Sequence, residues 1–171
     1  MQESKVASTI ATMTRRILIT LFAVSGICIF LRLYAHIGLY DVVEVFDGDT
    51  IAVAMAGRVE KVRLIGVDTP ETKDPRKPVQ CYGPEASAFS HSKLDRAKVR
   101  LVSDPLSTNR DRYDRLLRYV YLQDGTLYNK QLLSTGNART YTGFAFSKSQ
   151  EFVVAETQSK QQNTGLWQRC T

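Results

Sequence analysis

Two tight turns constrain this fold more than any other feature. Asp47-Gly48 separates the run Asp41–Phe46 from Thr50–Met55, and Gly57 separates Thr50–Met55 from Arg58–Val67. Runs of β-branched residues joined so closely pair with their neighbours in antiparallel fashion, so the spacing predicts a three-stranded meander. A loop rich in proline and charge, Asp68–Pro78, follows. The turn itself raises a question. Asp47-Gly48 is ordinary turn chemistry, but Asp49 adds a second negative charge to the same bend.

Gly83-Pro84-Glu85 opens a helix, because proline suits a first turn and glutamate the positive end of the helix dipole. Ala86, Phe89, Leu94 and Ala97 share one apolar arc at helical spacing, from which His91 points away. Lys98–Val102 and Leu116–Leu122 read as a fourth and fifth strand, the latter closed by Asp124-Gly125. Leu127–Thr135 and Ser149–Thr164 read as helices, stopped by Gly136 and Gly165. The expected fold class is α+β: a five-stranded β-barrel of the oligonucleotide/oligosaccharide-binding (OB) type with three helices.

A hydrophobic fraction of 43% and a charged fraction of 23% suit a packed domain and exclude a disordered chain. The net charge of +6 suggests an anionic partner. Half of it, however, falls within residues 1–40, where Lys5, Arg15, Arg16 and Arg32 stand against Glu3. Charge alone does not make residues 41–171 a nucleic-acid protein.

Three segments follow from composition: a polar start (1–16), a hydrophobic stretch (17–40) and the domain (41–171). Ile17–Leu31 has no charged residue and follows Arg15-Arg16. It is short for a span of roughly 20 residues, but Arg32 can snorkel and let Leu33–Tyr40 extend the helix. The stretch is either a transmembrane anchor or a cleaved signal, and the lack of a good small-x-small site favours the anchor. With Arg15 and Arg16 cytoplasmic, residues 41–171 would be extracytoplasmic, or secreted after cleavage. Cys28 lies in the apolar run, which leaves Cys81 and Cys170 as a possible disulfide of an exported domain, or as two free thiols. His36 and His91 are isolated, and no Cys-x-x-Cys suggests zinc.

The chemistry-bearing residues are Asp47 and Asp49 in one turn, Arg63, Asp68-Thr69, Glu71, and Arg110, Arg112, Arg115 and Arg118 around Tyr113. Taken singly, such carboxylates and arginines could be surface ion pairs of little energetic weight. Taken together, "DGDT" (Asp47–Thr50), "RLIGVDTPET" (Arg63–Thr72), "YGPEASAF" (Tyr82–Phe89), "DRYDR" (Asp111–Arg115) and "GLW" (Gly165–Trp167) resemble the staphylococcal nuclease (thermonuclease) family, in the family's order. The resemblance covers essentially all of residues 41–171.

The resemblance implies that Asp49, Asp68 and the backbone carbonyl of Thr69 bind a catalytic Ca²⁺, whose preference is for hard oxygen donors. Glu71 would orient or deprotonate the attacking water. Arg63 and Arg115 would grip the phosphodiester, as a permanently charged planar fork can. Arg112 and Tyr113 would contact a neighbouring phosphate, and Asp47 would support the metal site from behind. Two departures stand out. Asp114 occupies a position where the family's best-known pattern has glycine, adding negative charge beside the arginines. Tyr141 lies near, but not in register with, the tyrosine that packs on a base in the family. In a flat strand Arg63 and Asp68, five apart, would face opposite sides, so one shared pocket requires a bend near Gly66.

The function this implies is Ca²⁺-dependent hydrolysis of DNA and RNA with low sequence preference and 3′-phosphate products, by a monomer tethered through its N-terminal helix. Its rivals are a non-catalytic OB-type module that binds nucleic acid at a membrane, and a passive extracytoplasmic part of a membrane complex. The basic loop Lys73–Pro78 is either a solvated loop or a substrate contact.

Overall fold

The computed structural model describes residues 38–73, 75 and 78–170, together with Phe22 and Gly26. The chain divides into two compact units, Met1–Gly38 and Leu39–Thr171. Of the expected anchor or signal segment, only Phe22 and Gly26, which are helical, and residues 38–40 are among the described residues; Cys28, Arg32 and His36, like the preceding Arg15 and Arg16, lie outside them. So do Asp74, Arg76 and Lys77 of the basic loop. Among the described residues no helix is long and apolar enough to cross a membrane.

The second unit is an α+β domain. Strands β1 (Leu39–Val45), β2 (Thr50–Met55), β3 (Arg58–Leu64), β5 (Lys98–Val102) and β6 (Leu116–Tyr121) close a barrel in the order β1-β2-β3-β6-β5. The meander β1-β2-β3 is antiparallel, with Val45 opposite Ile51 and Met55 opposite Arg58. The strand pair β3 and β6 is parallel, Arg63 lying opposite Leu117. β1 starts at Leu39, so Leu39 and Tyr40 pair with Arg100 and Val99 as strand residues rather than extending the preceding apolar stretch.

Four helices accompany the barrel among the described residues: α1 (Gly83–Leu94), α2 (Tyr128–Ser134), α3 (Ser149–Gln161) and the single turn α4 (Leu166–Arg169). The fourth had no sequence signal beyond the Gly165 that was read as a stop. On α1 the buried residues are Gly83, Ala86, Ser90 and Leu94, whereas Ala97 lies beyond the helix end. Barrel residues Val53, Val62, Leu64, Val99 and Val120 form one core with Tyr128, Leu132, Leu133 and Phe152 of α2 and α3. Alternation along β3 buries Val62 and Leu64 and turns Lys61 and Arg63 outward.

The expected ten-residue third strand is broken. β3 stops at Leu64, the chain turns at Ile65-Gly66, and Val67–Asp68 forms a separate strand, β4, paired with β7 (Arg139–Thr140). Buried Asn129 of α2 holds the turn. Its side-chain amide donates to the Ile65 carbonyl (2.9 Å) and its Oδ1 accepts the Val120 N–H (2.8 Å). Gly66 has φ +72°, and a Cβ there would lie 2.6 Å from the Phe146 ring and 3.0 Å from that of Phe152. Only glycine meets both demands.

A buried carboxylate just after β5 ties β6 to the approach to α3. Asp104 accepts hydrogen bonds from the Tyr119 hydroxyl (2.6 Å), the Ser147 N–H (2.8 Å), the Ser147 hydroxyl and the Leu106 N–H (2.7 Å). Burial would raise its pKa, but these donors outweigh burial and bring it down to about 2.

Two predictions follow from this packing. Gly66→Ala should lower unfolding stability by about 2 kcal/mol or more, read by urea denaturation, since left-handed strain and overpacking act together. Asp104 has a depressed folded pKa, so the stability it adds is present above its ordinary value of 3.8 and is lost as pH falls toward about 2. That contribution is roughly 1–2 kcal/mol. Melting temperature should therefore fall less steeply between those two pH values in Asp104→Asn than in the wild type.

Candidate active site

The bend after β3 brings Arg63 and Asp68 to one place. Arg63 Nη1 donates to the carbonyls of Leu64 (3.1 Å) and Val67 (2.6 Å), pinning the guanidinium against the turn. Its Nη2 lies 3.0 Å from Asp68 Oδ1 and 3.1 Å from Asp49 Oδ2. The two carboxylates thus converge on a single positively charged nitrogen.

Asp49 is nearly buried, at 5% exposure, and held from several sides. Its Oδ2 accepts from the Thr69 N–H (3.0 Å) and the Thr69 hydroxyl (3.3 Å), and its Oδ1 from the Thr50 hydroxyl (3.0 Å). Gly48 makes room for Thr69, since a Cβ there would approach the threonine side chain to 2.4 Å. Asp47 Oδ1 accepts the Asp49 N–H (3.1 Å). Burial, then the neighbouring charge of Asp49, push the Asp47 carboxyl up to about 6. Two acids in one bend repel each other, and Arg63 partly relieves them.

The turn is also tied to the core by residues the sequence pattern did not single out. The buried Tyr128 hydroxyl donates to Ser90 Oγ (2.7 Å), which donates to the Gly48 carbonyl (2.9 Å). Burial pushes the Tyr128 phenol well above its ordinary pKa, so it stays a donor. A serine on the apolar face of α1, four residues after Ala86 and four before Leu94, was the available signal.

Asp47, Asp49, Arg63, Asp68 and Thr69 line a cleft of about 840 Å³ together with Glu71, Lys61, Asp111, Arg112, Tyr113, Arg115, Tyr141 and Phe144. Glu71 Oε1 accepts the N–H groups of Thr72 (2.9 Å) and Lys73 (2.8 Å), so its carboxylate is oriented by its own backbone. Arg115 is aimed by Asp111, whose Oδ2 accepts from both Nε and Nη2 (2.7 Å each). Burial would raise the Asp111 pKa, but bonds from Arg115 and from the backbone of Arg115 and Tyr113 lower it, keeping the carboxylate charged.

The arginine-rich stretch does not form one patch. Arg112 and Arg115 lie 4.8 and 5.4 Å from the Tyr113 ring centre, and Arg112 donates to the Tyr113 hydroxyl. Arg110 instead pairs with buried Glu60 (2.8 Å), and Arg118 bonds Asn109 Oδ1 (2.7 Å). Asp114 has φ +62°, which accounts for glycine at this point of the family pattern. Its carboxylate, 86% exposed, lies 3.5 Å from Arg110 Nε, and Asp114 is not among the residues that line the cleft. Tyr141 packs edge-on against Phe144, ring centres 5.4 Å apart, as an aromatic wall of the cleft. His91 bonds Asp95 (3.0 Å), away from the site. Cys81 and Cys170 form a disulfide joining the approach to α1 to the end of α4.

Among the described residues no group of three or more His, Cys, Asp or Glu is placed to hold a metal. The donor set still fits a hard cation: two carboxylates meet at one point of an open cleft, and water and a substrate phosphate can supply the remaining oxygens. It includes no histidine or cysteine, the ligands from which zinc sites are chiefly built.

Residues 61–169 match the family model described as "Staphylococcal nuclease homologue". The thermonuclease of Staphylococcus hyicus is 42% identical over 129 residues, 75% of each chain. That of Staphylococcus intermedius is 43% identical over 133 residues, 76% of each chain. Endonuclease YncB of Bacillus subtilis is 35% identical over 127 residues, 72% of this chain and 58% of its own.

Ser90→Ala removes the link between Tyr128 and Gly48 and leaves a buried hydroxyl unpaired. It should cost about 1–3 kcal/mol in stability by thermal or urea melts. Tyr128→Phe, which removes the donor as well, should recover part of that loss when combined with Ser90→Ala.

Proposed function

This chain belongs to the staphylococcal nuclease family, and from that membership we propose a Ca²⁺-dependent endonuclease that cleaves DNA and RNA with little sequence preference and leaves 3′-phosphate ends. The observation that carries the reading is the convergence of Asp49 and Asp68 on Arg63 Nη2, beside Glu71 in one cleft. Asp49 and Asp68, with the Thr69 carbonyl, would hold the ion, whose contribution when bound is to neutralise charge on the scissile phosphate.

Arg63 has two jobs that its two nitrogens divide. Nη1 stays anchored on the Leu64 and Val67 carbonyls. Nη2, which lies beside the Asp49 and Asp68 carboxylates, would turn to the phosphate. Arg115, braced by Asp111, contributes the second guanidinium where negative charge grows as phosphorus becomes five-coordinate. Glu71 takes a proton from the attacking water as its oxygen bonds to phosphorus, and the bond from phosphorus to the 5′ oxygen breaks, that oxygen leaving as a hydroxyl with a proton from solvent. Arg112 and Tyr113 would position a neighbouring phosphate, with Tyr141 and Phe144 as apolar surface for a base.

The protein would act as a monomer. The Cys81–Cys170 disulfide supports an oxidising compartment outside the cytoplasm. The apolar stretch that precedes β1 would tether the domain there, or be removed to release it.

A supercoiled plasmid incubated with Ca²⁺ should be nicked and then degraded, and excess chelator should abolish the cutting. Glu71→Gln should lower kcat by roughly 100-fold or more while folding and Ca²⁺ binding persist. Near-wild-type cleavage by that variant would remove Glu71 from its role. Retardation of DNA without cutting by the wild type would favour a binding module instead.

A further inference from the structure

Glu71 is gripped by a residue that has no place in the catalytic set. Gln80 bonds it twice: Gln80 Oε1 accepts the Glu71 N–H (2.9 Å), and the Gln80 N–H donates to the Glu71 carbonyl (2.9 Å). Gln80 is itself held by the start of α1, where the Gly83 N–H donates to its carbonyl (3.0 Å). Gly83 permits this approach, since a Cβ there would come within 3.0 Å of the Glu71 carbonyl oxygen.

The next residue is Cys81. Its disulfide leads to Cys170, directly after α4. That helix is fixed to the core by Leu166, which is buried and whose N–H donates to the Gly136 carbonyl (2.8 Å). A covalent path therefore runs from the barrel's helical layer to the residue that clamps Glu71. Gln80 is exposed, so its bonds compete with water, and a tether that restricts its motion strengthens the clamp.

We propose that Gln80 is a positioning residue for Glu71 and that the Cys81–Cys170 disulfide holds it in place, making turnover, but not substrate or cation binding, dependent on the oxidised bond. The inference rests on Glu71 as the base that activates water. A misplaced base slows the chemical step without weakening the contacts made by Asp49, Asp68, Arg112 and Tyr113.

The test compares four proteins on one DNA substrate with Ca²⁺, well below each melting temperature: wild type, Gln80→Met, Gln80→Glu and Cys81→Ser/Cys170→Ser. Gln80→Met keeps the disulfide and the side-chain length but loses the acceptor, and kcat should fall about fivefold or more with KM and Ca²⁺ affinity unchanged. Gln80→Glu keeps an acceptor oxygen and should retain most of kcat. The double serine variant should behave like Gln80→Met, as should wild type treated with dithiothreitol. If melting temperature falls in the double variant while kcat holds, the disulfide is a stability device only and the inference fails. If Gln80→Met and the double variant match wild type while Glu71→Gln is inactive, the base assignment stands and this inference alone is overturned. Near-wild-type cleavage by Glu71→Gln would overturn both.

Discussion

One guanidinium nitrogen organises this domain's cleft. Arg63 Nη2 lies within 3.1 Å of carboxylate oxygens from Asp49 and Asp68, which come from the turn before β2 and the end of β4. Without a cation between them, two such groups would repel each other, and a neighbouring acid, Asp47, already carries a raised pKa from burial and from Asp49. Arg63 supplies that cation from within the chain. A divalent ion would do the same with greater charge.

Everything that makes this possible is backbone geometry. The chain must turn sharply at Ile65-Gly66 for Asp68 to face the same way as Arg63. The turn is held by Asn129 from α2, by β7 pairing with β4, and by the missing side chain at Gly66. On the far side, Ser90 and Tyr128 pull the Gly48 carbonyl toward the core and so fix the loop that presents Asp49. The groups that line the cleft are polar, but Asn129, Ser90 and Tyr128, which fix the turns that carry them, are packed and buried.

Much of the architecture was legible from local pattern. Thr50–Met55 and Lys98–Val102 are strands with the bounds their β-branched runs suggest, and Ser149 opens a helix as its periodicity indicates. The break in the third strand was harder. "RVEKVRLIGV" reads as one strand, and only the conflict between Arg63 and Asp68 in a period of two pointed to a bend at Gly66. β7 is two residues long and owes its pairing to a partner some seventy residues earlier, so no local signal marks it. Ser90 and Asn129 look like ordinary polar helix residues until their buried partners are known. The arginine cluster misled for the opposite reason: adjacency in sequence suggested one basic patch, but Glu60 and Asn109 draw Arg110 and Arg118 elsewhere.

The central claim is that Asp49 and Asp68 form one cation site shared with Arg63. Calorimetric titration of Ca²⁺ into the wild type and into Asp49→Asn and Asp68→Asn tests it most directly. The account predicts one site in the wild type and at least a tenfold loss of affinity in each variant, with the barrel still folded. Equal Ca²⁺ affinity in all three proteins would contradict it.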